Sequence, residues 1–143
     1  MLGDISQAEK IYIACGYTDM RKSIDGLTAL VQQNFQLDPF SNSLFLFCGH
    51  KCNRIKALYW EGDGFVLLYK RLENGRFQWP RSLSEVRQLS PQEFRWLLEG
   101  LAIDQPKAVK NWIPKVSSKT SEVSEMSVSA GFSGIFMLYF QQD

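Results

Sequence analysis

One histidine, His50, and three cysteines are all the imidazole and thiol chemistry this 143-residue chain offers. A lone imidazole with no base or nucleophile partner reads as an exposed turn residue, which weighs against histidine-based catalysis. An odd number of cysteines excludes a fully paired disulfide framework and points to a reducing compartment. The opening residues "MLGDISQAEK" lack the basic start and apolar run of a signal peptide. No apolar stretch approaches the roughly 20 residues that cross a bilayer; "GIFMLYF" is far too short. The expected location is therefore the cytoplasm, away from membranes. An excess of one charge is also missing, since 16 Lys+Arg stand against 15 Asp+Glu. Neither a Walker loop nor a nucleophile elbow is present, so neither nucleotide hydrolysis nor serine-hydrolase chemistry is indicated.

What is present suits a folded domain. Hydrophobic residues make up 45% and aromatic residues 13% of the chain, enough to build a core. The length fits one domain, placed at residues 1–115, followed by a Ser-rich tail at 116–143 that contains "VSSKTSEVSEMSVSAGFSG". "KIYIACG" alternates as a short strand, and "SLFLFCG" is an apolar run of strand length. Between them Met20, Ile24, Leu27, Leu30, Val31 and Phe35 recur at helical spacing. That predicts an amphipathic helix over 20–35, N-capped by Thr18 or Asp19, with Arg21 and Lys22 in its first turn. Ser90, Pro91 and Glu93 form a helix-start signal of N-cap, N1 and N3. The helix that follows should bury Phe94, Leu97, Leu98 and Leu101 and stop at Gly100. "VRQL" before it reads as a further short strand.

Asp63-Gly64 and Asn74-Gly75 suit two-residue hairpin turns. They predict a three-stranded antiparallel meander over 55–61, 65–72 and 76–79, with Trp60 opposite Leu67, Leu58 opposite Tyr69 and Lys56 opposite Arg71. One face then carries Ile55, Ala57, Tyr59, Val66, Leu68, Leu72, Phe77 and Trp79, a core face. The other mixes Lys56, Trp60, Tyr69, Arg71 and Arg76 with Leu58 and Leu67. The expected fold class is α+β, a mainly antiparallel sheet with two helices packed on it.

Three blocks are specific in combination: "GYTDMRKSIDGLTALVQ", "DPFSNSLFLFCGHKCNRIKALYWEGDGFVLLYKRLENGRFQWP" and "LSPQEFRWLLEG". In this order they resemble the TnpB accessory family of insertion-sequence family 66 elements, the product of the element's second open reading frame and distinct from the RNA-guided nuclease of the same name. The resemblance implies a protein encoded beside a separate, longer transposase, needed for efficient transposition and not itself performing strand transfer. It spans about residues 10–114. Family members usually end near the "WIPK" position, so the Ser-rich tail falls outside the pattern.

Three kinds of chemistry compete for "CGHKCNRIK". Cys48, His50 and Cys52 could hold zinc, but a fourth ligand would have to be the distant Cys15 or a carboxylate, and the spacing is not the usual paired knuckle. In the resembled family this turn is commonly basic and lacks the Cys/His set, which implies no metal and no cofactor. Two-metal transposase chemistry needs clustered acids, whereas Asp19, Asp25, Asp38, Glu61, Asp63, Glu73 and Glu93 are spread over caps and turns. The reading favoured here is a non-catalytic one, in which the protein is not an enzyme and takes no small-molecule substrate. Eight basic residues between Cys48 and Arg87 oppose four acidic ones. Lys51, Arg54, Lys56, Arg71 and Arg76, with Arg21 and Lys22, are the candidates to neutralise DNA phosphates, and Trp60 and Tyr69 to stack on bases. The alternative is an adaptor whose same face docks the transposase without touching DNA. "GFSGIFMLYF" in the tail is a candidate strand to cover a sheet edge.

Overall fold

The computed structural model describes residues 7–81, 85–109 and 112. Within them lies an α+β fold, a five-stranded sheet with one helix against each face. In chain order the elements are β1 (Lys10–Ala14), α1 (Ile24–Gln33), β2 (Ser43–Cys48), β3 (Arg54–Trp60), β4 (Phe65–Arg71), β5 (Val86–Leu89) and α2 (Pro91–Leu98). The spatial order is β4-β3-β2-β1-β5. Only β1 and β2 run parallel, joined by a crossover through α1 as a parallel pair requires. The other three pairings are antiparallel.

β2 is the middle strand, and all six of its residues are buried. Strand alternation splits them between two cores. Leu44, Leu46 and Cys48 join Ile11, Ile13, Ile55, Ala57 and the α2 residues Phe94, Leu97 and Leu98. Phe45 and Phe47 join Leu58 and the α1 residues Leu27 and Val31. The helical stripe read from the sequence is the one used. Leu27 and Val31 are buried, and Met20, Ile24, Leu30 and Phe35 pack around them. α2 starts with the expected capping box: the Ser90 hydroxyl accepts from the Glu93 N–H and the Glu93 carboxylate accepts from the Ser90 N–H.

Four local expectations are corrected. The α1 helix begins at Ile24 with Ser23 at its N-cap, so neither Thr18 nor Asp19 caps it. Asp19 is engaged instead with the backbone N–H and guanidinium of Arg21, which makes 19–22 a turn and puts Arg21 and Lys22 ahead of the helix. The β3–β4 connection has four residues, Glu61 to Gly64, with Gly62 at φ 97°. Trp60 therefore pairs with Phe65, Leu58 with Leu67 and Lys56 with Tyr69. This register lets Trp60 and Phe65 meet edge-on at 4.8 Å, with Phe40 at 4.9 and 5.3 Å from the two rings. The slip is two residues, so every side chain keeps its expected face.

The third meander strand is replaced by a crossing segment. Phe77 donates its N–H to Cys52 and the Trp79 indole donates to the Ala14 carbonyl at 2.9 Å, while Gly16 donates to Pro80. Residues 76–80 thus run across the sheet end, with Phe77 and Trp79 buried under α2. Finally, Leu101 is 45% exposed, because Gly100 at φ 81° turns the chain and Ile103 enters the core in its place. Trp79→Phe removes the indole donor and leaves a buried carbonyl unpaired. Urea unfolding should show a loss of about 1–3 kcal/mol, and an unchanged midpoint would refute the pinning role given to this bond.

Candidate nucleic-acid interface

One end of the sheet collects the chain segments that carry charge. β1 and β2 finish there, β3 and β5 start there, and β4 finishes there. Its central piece is the Gly49–Asn53 connection between β2 and β3. Cys52 donates its N–H to the Gly49 carbonyl and takes φ 59°, closing a tight turn that lifts His50 and Lys51 into solvent. Gly49 is required by packing: a Cβ there would stand 2.7 Å from the Met20 Cγ. The Thr18 N–H donates to the Cys48 carbonyl, and so the segment that precedes α1 lies along this turn. A shallow cleft of about 250 Å³ runs between Thr18–Met20 and Gly49–Arg54.

Lys56 holds the two segments together. Its ammonium donates to the carbonyls of Met20 and Lys22, each at 2.7 Å, and sits 5.9 Å from the centre of the Tyr69 ring. Arg54 stands directly opposite Arg71 in the β3–β4 ladder. That like-charge pair is relieved by Glu73, which accepts from the Arg71 guanidinium at 2.7 Å. The Arg21 guanidinium is likewise matched by Asp19 at 2.8 Å. Hydrogen bonds from Arg21 hold the Asp19 carboxyl down at about 2, against an ordinary 3.8. Among the described residues Lys22, Lys51 and Arg54 form no ion pair, although the Lys22 charge is near enough to act on Asp19. The Arg54 Nε and the Asn53 Oδ1 are buried without a hydrogen-bond partner among those residues.

The nine residues singled out by the sequence are therefore divided. Arg21, Lys22, Lys51, Arg54, Lys56, Arg71 and Tyr69 meet at this end of the sheet. Trp60 does not: six residues along β3 from Arg54, it lies about 20 Å away, packed with Phe40 and Phe65 at the opposite end. The Arg76 backbone does reach this end, since its neighbour Phe77 donates to the Cys52 carbonyl, but on the side of the sheet covered by α2, beside Gly100. Tyr17 was missed. It is 43% exposed and meets His50 edge-on at 4.6 Å. The only available signal was its place in "GYTDMRK" beside the basic pair.

Cys48, His50 and Cys52 are not brought together as ligands, and no group of three or more His, Cys, Asp or Glu among the described residues is placed to hold a metal. Cys48 lies wholly inside the core, where burial first and Cys52 second push its thiol well above the usual range. His50 points instead to Tyr17. The acids keep local roles: Asp38 binds the Phe40 N–H, Glu73 binds Arg71, and Glu93 and Asp104 share Arg87.

Because the Asp19 carboxyl is depressed in the folded protein, its pairing with Arg21 is complete above pH 3.8 and is lost as pH falls toward about 2. In Arg21→Gln the Asp19 carboxyl should titrate clearly higher than in the wild type, though short of 3.8, because the residue-21 N–H and the Lys22 charge still favour the carboxylate. A carboxyl-carbon NMR titration reads this directly, and a midpoint left near 2 would contradict the pairing.

The IS66 Orf2-like protein family matches residues 9–108. The chain is 35% identical over 96 residues to the uncharacterized protein y4jC of Sinorhizobium fredii, covering 67% of this chain and 82% of that relative. It is 34% identical over 108 residues to the uncharacterized protein y4hO of the same organism, covering 76% and 92%. No solved structure matches it.

Proposed function

This chain belongs to the IS66 Orf2-like family, and on that premise we propose that it serves transposition as a non-catalytic accessory factor that binds DNA through the cationic end of its sheet. The observation that carries the reading is convergence. Lys22 from the segment before α1, Lys51 from the β2–β3 turn and Arg54 from the start of β3 meet at one end, and none forms an ion pair among the described residues. Such cations displace condensed counterions from phosphates, and the affinity they supply falls with salt. Three phosphate contacts give a log–log salt slope of about −2 to −3. The partners are then DNA, with the ends of the transposable element as the first to try, and the transposase of the same element.

Anisotropy titrations with element-end DNA at two salt concentrations test this. Each single replacement among Lys22→Ala, Lys51→Ala and Arg54→Ala should reduce the slope by about 0.9, and the triple variant should lose most of the binding. Folded protein that binds nothing at low salt would overturn the reading. The domain is assigned to residues 1–115, and truncation after Lys115 should leave binding unchanged.

A second reading has its own support. Phe40, 50% exposed, sits with Trp60 and Phe65 as an aromatic cluster at the far end of the sheet. Such a patch suits contact with a protein, and here the transposase is the partner to try. Co-purification that survives nuclease treatment and is lost in Phe40→Ser would favour this adaptor role.

A further inference from the structure

We infer that the cationic end of the sheet takes a single strand of DNA in preference to a duplex, with Tyr17 and Tyr69 as the platforms on which unpaired bases stack. This rests on the DNA-binding reading above and narrows its substrate.

The charge balance is the first reason. Of the cations gathered here, Arg21 and Arg71 are matched by Asp19 and Glu73, and Lys56 is engaged with two backbone carbonyls. Lys22, Lys51 and Arg54 remain, a small set for duplex DNA, whose sequence-independent binding is almost wholly phosphate neutralisation. The rings are the second reason. Tyr17 and Tyr69 are 43% and 45% exposed, and both lie at this same end. His50 braces Tyr17 at an interplanar angle of 67°, so no parallel ring stacks on it there. The Lys56 ammonium stands beside Tyr69. A base stacked on a tyrosine is worth roughly five- to a hundred-fold in affinity whatever its identity, and only an unpaired base can take that place.

The spacing agrees. Tyr17 follows β1, His50 and Lys51 top the β2–β3 turn, Arg54 opens β3, and Tyr69 lies near the end of β4. From β1 to β4 is three strand spacings, about 14 Å. A single strand that keeps the stacked spacing of about 3.4 Å per nucleotide would lay about four nucleotides or fewer along that width, with Tyr17 beside the β2–β3 turn and Tyr69 on β4.

The test compares a mixed-sequence 20-nucleotide single strand with the duplex of the same sequence by anisotropy, using the full chain. The single strand should bind at least five-fold tighter near physiological salt. Tyr17→Leu and Tyr69→Leu should each weaken single-strand binding about five-fold or more, while leaving duplex binding and the salt slope unchanged. Tyr17→Phe, which keeps the ring, should retain wild-type affinity. Duplex binding equal to single-strand binding, or leucine variants that bind the single strand as wild type does, would overturn this inference and leave the DNA-binding reading standing. Failure of the folded wild-type chain to bind either form at low salt would overturn both.

Discussion

Burial of β2 on both faces is the constraint from which the rest of the architecture follows. A strand whose six residues are all inside must have partners on both edges and a covering layer above and below. β1 and β3 satisfy its backbone, while α1 and α2 with the crossing segment 76–80 cover its side chains. Because β1 runs parallel to β2 and β3 antiparallel to it, the exits of β1 and β2 and the entry of β3 share one end. Two loops are thereby laid side by side, joined by the Thr18 N–H on the Cys48 carbonyl, and they are the loops that carry GYTDMRK and GHKCNR. The cationic surface is a product of topology rather than of any one motif.

Lys56 shows how structural and electrostatic duties compete at such a place. Read as one more phosphate ligand, it would add to the patch. In the fold its ammonium closes the gap between β3 and the segment before α1, satisfying two carbonyls that no helix reaches. Its positive charge still contributes to the local field, but its donors are directed inward. The same division holds for Arg21 and Arg71, each held by an acid two residues away in sequence. Such exposed pairs add little stability, yet they lower the net charge presented to a partner.

What could be read from the sequence was whatever depends on periodicity. Alternation placed Ile55, Ala57 and Tyr59 on one face and Lys56, Leu58 and Trp60 on the other, and the structure keeps both sets. The α1 stripe and the Ser90–Glu93 capping box were legible for the same reason, being local patterns with one physical solution. Register was not legible, because a slip of two residues leaves every face unchanged; the four-residue turn adopted pairs Trp60 with Phe65, and both rings meet Phe40 from another loop. Phe77 and Trp79 alternate like a strand, but their backbone bonds go to Cys52 and, through the indole, to Ala14. Nothing local in "GRFQWP" announces those partners. For the site, the clustering of cations was visible, while the separation of Trp60 and the arrival of Tyr17 needed the strand order. The tail at 116–143 and the idea that "GFSGIFMLYF" covers an edge lie outside the described residues.

The position of β5 has a consequence for how the protein is made. β1 is made before the other described elements, yet one of its two neighbours, Val86–Leu89, is made after all the other described strands. At about 5–20 residues per second, that flank waits roughly 4–15 s for its mate. During the interval the nascent chain displays an unpaired row of amides and carbonyls along Ile11–Ala14. Completion of the sheet therefore follows the β3–β4 hairpin, and a chain cut short before Val86 would be left with an adhesive border.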